Sequence, residues 1–334
     1  MHPLTNATGR HAVLRAGSGR FVVPDASWAR RSVGFACWQA IAETTPAAVH
    51  TGFAICLLEP GGVVPAHVHS YEECCFVLDG AVLLQTDAGA VRMRAGDYGL
   101  VPVGTPHAWR NDGDQPARWA QMTAPQPRGR HGGDTFAVPS DAVACDDGPA
   151  TVDPRDPRNR FFGHVEPANL EVDRQSQQLL AVSASMRTAL LVYSGITVKM
   201  MVDTDLGAQL TTMFMVQYAP DGVAGAHDHP FEETYLFLAG EAEAEFDGVS
   251  YRLGPGDVAF AGVGCVHGFR NVGDGPLRWL ETQAPQPPAR YSYRFARDWE
   301  YLRAALAEQR QPATSEPVPS GNNQRMGADD DHTH

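Results

Sequence analysis

Short apolar runs separated by turn residues dominate this chain. Between Gly61 and Gln126 the runs are about five to eight residues long and are broken by Asp-Gly, Ala-Gly, Gly-Asp and Val-Gly pairs. Upstream, VGFACWQAI and HTGFAICLLEPGG are rich in β-branched and aromatic residues and close at a Pro-Gly turn. This pattern predicts an antiparallel barrel or sandwich and argues against a βαβ fold.

Changes in composition suggest where domains begin and end. Residues 126–160 are polar and crowded with Pro, Gly and Asp, which is typical of a connection between domains. Residues 297–309 show helical apolar spacing, whereas residues 311–334 contain too little apolar surface to offset the entropy cost of ordering. We therefore predict an N-terminal barrel with an N-terminal extension (1–140), a linker (141–160), a C-terminal barrel with a short helix (161–310) and a disordered tail (311–334).

The second half of the chain repeats the first at an offset of 160 residues. RWAQMTAPQPRGR at 118–130 matches RWLETQAPQPPAR at 278–290. AHVHSYEECCFVLDG matches AHDHPFEETYLFLAG at the same offset, with no insertion between the two matches. The sequence therefore contains a duplicated domain.

Each copy carries a set of candidate metal ligands. On a β-strand, residues i and i+2 point to the same face, so the two histidines of His-x-His project together. A glutamate follows four residues later, and a third histidine lies on a later strand. The predicted ligands are His67, His69, Glu73 and His107 in the first copy, and His227, His229, Glu233 and His267 in the second.

These ligand types indicate a divalent transition metal in each barrel. Three imidazoles and one carboxylate suit Fe(II) or Mn(II), with Ni(II), Co(II), Cu(II) or Zn(II) as alternatives, and leave open positions on a five- or six-coordinate ion. An all-sulfur structural zinc site is excluded by the ligand types.

The two motifs resemble those of the cupin superfamily, and their duplication resembles the bicupins, including quercetinase-like and oxalate decarboxylase-like members. The first copy matches at Gly61, His67, His69, Glu73, Gly80, Gly96, Pro102, Gly104, His107 and Asn111. The second matches at His227, His229, Glu233, Gly240, Gly256, Gly264, His267 and Asn271, with Asp221 and Gly262 as departures. The resemblance implies an all-β fold of two tandem jelly-roll barrels, each a double-stranded β-helix.

Positions that differ between the copies are expected to distinguish the two pockets. Strand parity places Cys75 in one barrel interior and Tyr235 at the equivalent position in the other. Tyr235 is a candidate proton donor, a hydrogen-bond partner of the substrate or a core tyrosine, and Cys75 is expected to be an inert buried thiol. Glu73 and Glu233 are each either a permanent ligand or a general base. The catalytic candidates are therefore Glu73, Glu233 and Tyr235.

Trp109 and Phe269, two residues beyond the last histidine of each copy, line the pockets or belong to the core. Arg118 and Arg278 recur identically in two otherwise different copies. We therefore expect them to form structural pairs at strand ends and not to bind a substrate carboxylate.

Three functions are compatible with such a site. The first hypothesis is a metal-dependent dioxygenase, an oxidoreductase that acts on O₂ and a small aromatic or enol-type substrate. The alternative is a non-oxidative isomerase, decarboxylase or hydrolase of a small carbonyl or carboxylate metabolite. A non-catalytic cupin that binds a small ligand is third. The resemblance does not fix the reaction, because cupins carry many activities.

Bulk composition narrows the partners. A net charge of −13 argues against nucleic acid, and no apolar run is long enough for a membrane span or has the form of a secretory signal. The six cysteines show no framework spacing and are expected to be reduced. We expect a cytoplasmic monomer or homodimer whose partners are a small-molecule substrate and O₂.

Overall fold

The computed structural model describes residues 6–26, 28–144, 148–153, 156, 160–171, 194–286 and 294–295. Regular structure in these residues is β-strand apart from short 3-10 segments at Ala16–Ser18, Ala29–Arg31, Gly129–Asp134, Ser140–Ala142 and Pro167–Leu170. The predicted helix at 297–309 and the predicted tail lie outside the described residues. Within the described part of the chain, no helix is long and apolar enough to cross a membrane.

The first barrel is a single curled sheet formed by strands β3 to β13. They are β3 (Val33–Ile41), β4 (Gly52–His69), β5 (Glu72–Asp79), β6 (Ala81–Thr86), β7 (Gly89–Arg94), β8 (Asp97–Val101), β9 (His107–Arg110), β10 (Ala117–Ala124), β11 (Thr135–Ala137), β12 (Ala150–Thr151) and β13 (Phe162–His164). The long strand β4 pairs with β3 and β10 through its first half and with β9 through its second, and a bulge lies between Val64 and His67. Because β4 bends at this bulge, it forms part of both faces of the barrel.

The second barrel contains two sheets. Its strands are β14 (Ile196–Val202), β15 (Thr212–Tyr218), β16 (Val223–Asp228), β17 (Glu232–Ala239), β18 (Ala242–Phe246), β19 (Val249–Leu253), β20 (Val258–Ala261), β21 (His267–Asn271), β22 (Leu277–Ala284) and β23 (Arg294–Phe295), joined by β1 (Asn6–Thr8) and β2 (His11–Leu14). The sheet orders are β1-β2-β20-β17-β22-β15-β14 and β19-β18-β21-β16-β23. The prediction of an all-β fold with two tandem barrels is confirmed.

The two barrels exchange short strands. Strand β2, which precedes the first barrel in sequence, pairs antiparallel with β20 of the second. Strand β13, which follows the first barrel and the connection after it, pairs antiparallel with β8 of the first barrel. Each exchanged strand covers an edge that would otherwise present unpaired backbone groups.

Three clusters of buried side chains form the core. One cluster fills each barrel, and the third lies between them, where Ile55 and Phe76 of the first barrel share a cluster with Met215 and Leu236 of the second. Burial of this apolar surface joins the two barrels.

Two buried glutamates reinforce that junction from opposite sides. Glu72 accepts hydrogen bonds from the backbone N–H groups of residues 209–211, at 2.6 to 3.1 Å. Glu232, its equivalent in the repeat, accepts from the backbone N–H groups of residues 49–51, at 2.7 to 3.0 Å. Each barrel therefore supplies a carboxylate that binds backbone donors of the other.

An asparagine follows the third histidine of each motif by four residues and holds the loop after that strand in place. The side-chain amide of Asn111 donates to the carbonyls of Leu58 (2.9 Å) and Gln115 (2.8 Å), and its oxygen accepts from the N–H of Gly113 at 3.0 Å. Asn271 makes the equivalent set of bonds in the second barrel. The asparagine therefore ties the end of the histidine-bearing strand to the neighbouring strand.

Candidate metal centres in the two barrels

In the first barrel, the four predicted ligands converge from three strands. His67 and His69 lie at the end of β4, Glu73 lies on β5, and His107 begins β9 directly opposite His67 in register. Glu73 Oε2 is 3.4 Å from His69 Nε2 and 3.8 Å from His107 Nε2. The rings of His67 and His107 are 4.1 Å apart between centroids. All four side chains are buried.

Backbone carbonyls orient every histidine of this centre. Each Nδ1 lies within hydrogen-bond distance of a carbonyl two residues away in sequence, so Nδ1 carries the proton and donates it. The bonds are His67 to Pro65 O (2.8 Å), His69 to Tyr71 O (2.7 Å) and His107 to Thr105 O (3.0 Å). This fixes the tautomer and directs the Nε2 lone pairs, which are the metal-binding ones, toward one another.

The donor set of the first barrel fits a metal ion. His69 Nε2, His107 Nε2 and Glu73 Oε1 are buried and have no hydrogen-bond partner. Orphaned buried polar atoms are costly, so three of them on neighbouring side chains indicate that these residues bind a ligand. Among the described residues, His69, Glu73 and His107 form one group whose ligand atoms all lie within 4.8 Å of one another.

Burial also keeps these imidazoles neutral. Desolvation lowers the pKa of His67 to about 4 and the pKa of His107 well below its ordinary value. A neutral imidazole has a free lone pair, which is the form that binds a metal.

The second barrel repeats the arrangement. Its histidine Nδ1 atoms donate to the carbonyls of Gly225, Phe231 and Cys265 at 2.8 to 2.9 Å. Glu233 Oε2 is 2.7 Å from His229 Nε2 and 3.2 Å from His267 Nε2. His227, His229 and His267 form a group that could hold a metal ion. Their donor set fits an ion as the first one does.

The ionisable groups of the second centre shift one another's pKa values. Burial lowers the pKa of His227 to about 3. Burial acts in the same direction on His229, but the charge of Glu233 and the hydrogen bonds to Glu233 and to the backbone of Phe231 together outweigh it and raise the pKa of that histidine. The pKa of Glu233 falls well below its usual value despite burial, because His229 and His267 favour its charged form. An ionised carboxylate is therefore available among the histidines.

Amide side chains hold both ligand carboxylates. Gln121 donates to Glu73 Oε2 at 2.8 Å. Gln283 donates to Glu233 Oε1 at 2.5 Å, and the hydroxyl of Tyr235 donates to Glu233 Oε2. Tyr235 thus lies beside the carboxylate of the second centre. The two glutamines were missed in the sequence, although Gln283 and Glu233 are direct cross-strand partners and the repeated strand containing them was recognised.

A further carboxyl group lies behind the second centre. Glu281 accepts a hydrogen bond from Trp279 Nε1 at 2.9 Å and lies 3.5 Å from Gln283 Nε2. Burial, and then the charge of Glu233, raise the pKa of Glu281 well above its usual value. The first barrel has Gln121 at the equivalent position, so the two centres differ in the number of acidic groups.

Strand parity predicted which side chains face the interior at the positions where the two copies differ, and the structure agrees. Cys75 and Val77 belong to the cluster inside the first barrel, whereas Cys74 lies in the cluster between the barrels. Tyr235 and Phe237 belong to the interior of the second barrel. At these two positions the first barrel has small side chains and the second has aromatic rings.

Aromatic side chains also border the ligands. Trp109 lies in the interior cluster of the first barrel, and Phe269 contacts Tyr235 with ring centroids 4.9 Å apart. Trp28 stacks on His67 at 5.0 Å with an interplanar angle of 16°. Sequence analysis missed Trp28, because it lies in the N-terminal extension, where no repeat or periodic pattern marks it.

Comparisons with known proteins agree with this architecture. The cupin domain family matches residues 54–123 and again residues 214–282. The chain is a bicupin. No curated protein sequence matches it.

The proteins whose solved structures resemble this bicupin include enzymes of different reaction classes. The oxalate decarboxylase of Lactobacillus farciminis, in complex with formate, is 16% identical over 92% of this chain and 95% of its own, with a TM-score of 0.60. A variant of the Bacillus subtilis oxalate decarboxylase is 14% identical over 92% of this chain and 86% of its own, also with a TM-score of 0.60. A variant of the salicylate 1,2-dioxygenase of Pseudoaminobacter salicylatoxidans is 16% identical over 76% and 77%, with a TM-score of 0.55. At such identities, the likeness shows the fold alone.

Proposed function

We propose that this bicupin is a metal-dependent dioxygenase that acts on a small aromatic or enol-type substrate. The observation that carries the proposal is a pair of buried 3-His-1-Glu sets whose Nε2 atoms are already oriented and are bordered by aromatic side chains. Four protein ligands leave positions for a substrate oxygen and O₂ on a five- or six-coordinate ion. Aromatic walls suit an apolar substrate body.

The proposed cofactor is Fe(II) or Mn(II), held by His67, His69, Glu73 and His107 in the first barrel and by the equivalent four residues in the second. Such an ion supplies Lewis acidity and a route for electron transfer between substrate and O₂. The protein's part is to orient the imidazoles through their Nδ1 bonds and to exclude water by burying all four ligands.

The proposed role of Tyr235 is to hold a proton beside the ligand carboxylate of the second barrel. Its hydroxyl hydrogen bonds to Glu233 Oε2, and burial raises the pKa of the phenol well above its ordinary value. Tyr235 therefore stays protonated and serves as a donor to Glu233 or to a substrate oxygen beside it. In the first barrel, Gln121 donates to Glu73 but has no ionisable proton to give.

That same hydrogen bond favours a second candidate function. A carboxylate and a phenol next to an open metal position also suit non-oxidative isomerisation, decarboxylation or hydrolysis of a carbonyl or carboxylate substrate. The similarity to oxalate decarboxylases supports this candidate about as well as the similarity to salicylate dioxygenase supports the first.

Metal content and oxygen dependence test the proposal. Protein purified without added metal is analysed by inductively coupled plasma mass spectrometry and screened for O₂ consumption with small phenols, enols and carboxylates. His67→Ala and His227→Ala should each remove about one metal equivalent, whereas His131→Ala, at an exposed histidine, should remove none. Turnover that continues unchanged without O₂ would exclude the dioxygenase and favour the second candidate. Unchanged metal content in either variant would remove that barrel from the proposal.

A further inference from the structure

A cavity lies between the barrels, and none of the eight predicted metal ligands lines it. Its volume is about 520 Å³, and its apolar floor is formed by Ile55, Phe76 and Leu78 of the first barrel with Met215, Leu236 and Leu238 of the second. These are equivalent residues of the two copies, each pair 160 positions apart. The two barrels therefore contribute equivalent positions to the floor of the cavity.

Two equivalent arginines lie in its wall, but among the described residues only one of them has an acidic partner. Arg118 lies directly across the sheet from Asp79, and both its Nε, at 2.7 Å, and its Nη2 bind Asp79 Oδ2. Arg278 lies across from Ala239 in the same register. The two copies therefore share the arginine, but the carboxylate of Asp79 in the first copy corresponds to the methyl group of Ala239 in the second.

Arg278 carries a charge that nothing described in the protein neutralises. Its Nε is buried and has no hydrogen-bond partner within the described part of the chain. Burial lowers the pKa of Arg278, as desolvation does for a cation without a counterion. A guanidinium nevertheless stays protonated in proteins, so Arg278 places a fixed positive charge in the wall of the cavity.

The remaining charges around the cavity favour a ligand with no more than one negative charge. Arg118 and Asp79 neutralise each other. His164 donates to Asp97 at 2.7 Å, and its other ring nitrogen is 3.7 Å from Glu166, which is 60% exposed at the rim. Glu166 would repel a dianion more strongly than a monoanion, and one carboxylate is enough to neutralise Arg278.

We propose that this cavity binds a small organic monocarboxylate, with the carboxylate on Arg278 and an apolar body on the floor between the barrels. Arginine binds carboxylates through two parallel N–H bonds, and a few polar groups on an apolar wall are typical of small-molecule sites. The site is separate from the metal centres and does not depend on the reaction that they perform.

Calorimetric titration of the full chain with benzoate and hexanoate tests the proposal. Both are expected to bind in the millimolar range or tighter, and benzamide, the neutral analogue of benzoate, is not. Failure of both carboxylates to bind, or equal binding of benzamide, would overturn the proposal.

The duplication supplies a matched pair of variants. Ala239→Asp restores the carboxylate that Asp79 provides in the first copy and should weaken benzoate binding by about 10- to 100-fold, because it occupies Arg278. Ala239→Asn, of equal size but uncharged, should retain binding. Arg278→Gln should weaken binding as much as Ala239→Asp. Unchanged binding in Ala239→Asp or Arg278→Gln, or equal loss in Ala239→Asn, would overturn the assignment of the carboxylate to Arg278.

Discussion

Replacing Glu232 with glutamine tests whether a buried carboxylate joins the two barrels. Both of its oxygens accept hydrogen bonds from backbone N–H groups of the other barrel, those of Val49 (2.7 Å), His50 (3.0 Å to each oxygen) and Thr51 (2.9 Å). The side chain is fully buried, so water cannot replace a lost acceptor. Glutamine keeps the shape but turns one acceptor into a donor that faces other donors.

The expected cost follows from this geometry. Hydrogen bonds to a charged acceptor contribute about 1.5–3 kcal/mol each and neutral ones about 0.5–1.5, so two retained bonds lose about 2 kcal/mol together. One N–H that loses its acceptor costs about 1–3 kcal/mol more. Removing a buried charge offsets part of this loss. We therefore expect Glu232→Gln to lower the free energy of unfolding by about 2–4 kcal/mol.

Urea denaturation measures that loss, and the repeat supplies a matched variant. Glu72→Gln should be destabilised by a similar amount, because Glu72 binds three N–H groups of the second barrel in the same way. Glu245→Gln, at an exposed position, should change stability by less than about 0.5 kcal/mol. A loss below about 1 kcal/mol in both buried variants would refute the reasoning. Because the substitutions weaken the junction, we also expect the two barrels to begin to unfold in separate transitions.

Two further predictions concern the centres themselves. Tyr235→Phe removes the hydroxyl that holds Glu233, so it should weaken Mn²⁺ binding in the second barrel by about 10- to 100-fold and leave binding in the first barrel unchanged. Gln121→Leu removes the amide that holds Glu73, so it should weaken Mn²⁺ binding in the first barrel and leave the second unchanged. Equilibrium dialysis of each variant measures both effects. Equal effects on both barrels would contradict this. Burial raises the pKa of the Cys75 thiol, so at pH 8 it should resist iodoacetamide in the native protein and react in urea, as mapped by mass spectrometry; rapid native labelling would contradict an inert thiol.

The fold and the candidate ligands were predictable because they depend on local, repeated patterns. Alternation along strands placed His67 and His69 on one face, and the repeat identified the equivalent pair in the second barrel. The glycine and asparagine positions of the motifs marked turns that the structure contains. The domain boundaries at 140, 160 and 310 stay a prediction.

What the sequence did not reveal depends on contacts between distant strands. Gln121 and Gln283 hold the ligand carboxylates from β10 and β22, and their spacing from the histidine motifs gives no register. Trp28 reaches His67 from the N-terminal extension, and Glu72 and Glu232 each bind backbone donors more than 130 residues away. Cross-strand register and the packing of one barrel on the other determine these contacts, and neither is encoded in local periodicity.

Arg118 and Arg278 show how a duplication should be interpreted. Their identity in the two copies suggested one shared structural role, and for Arg118 the ion pair with Asp79 bears this out. Arg278 departs from it, because its cross-strand partner is Ala239. A residue retained in both copies keeps its role only if its partner is retained as well. Glu73 and Glu233 satisfy that condition, because the histidines around each of them are all repeated. Arg278 does not satisfy it, because the second copy has Ala239 where the first has Asp79. The positive charge of Arg278 is therefore available to the carboxylate ligand that we propose.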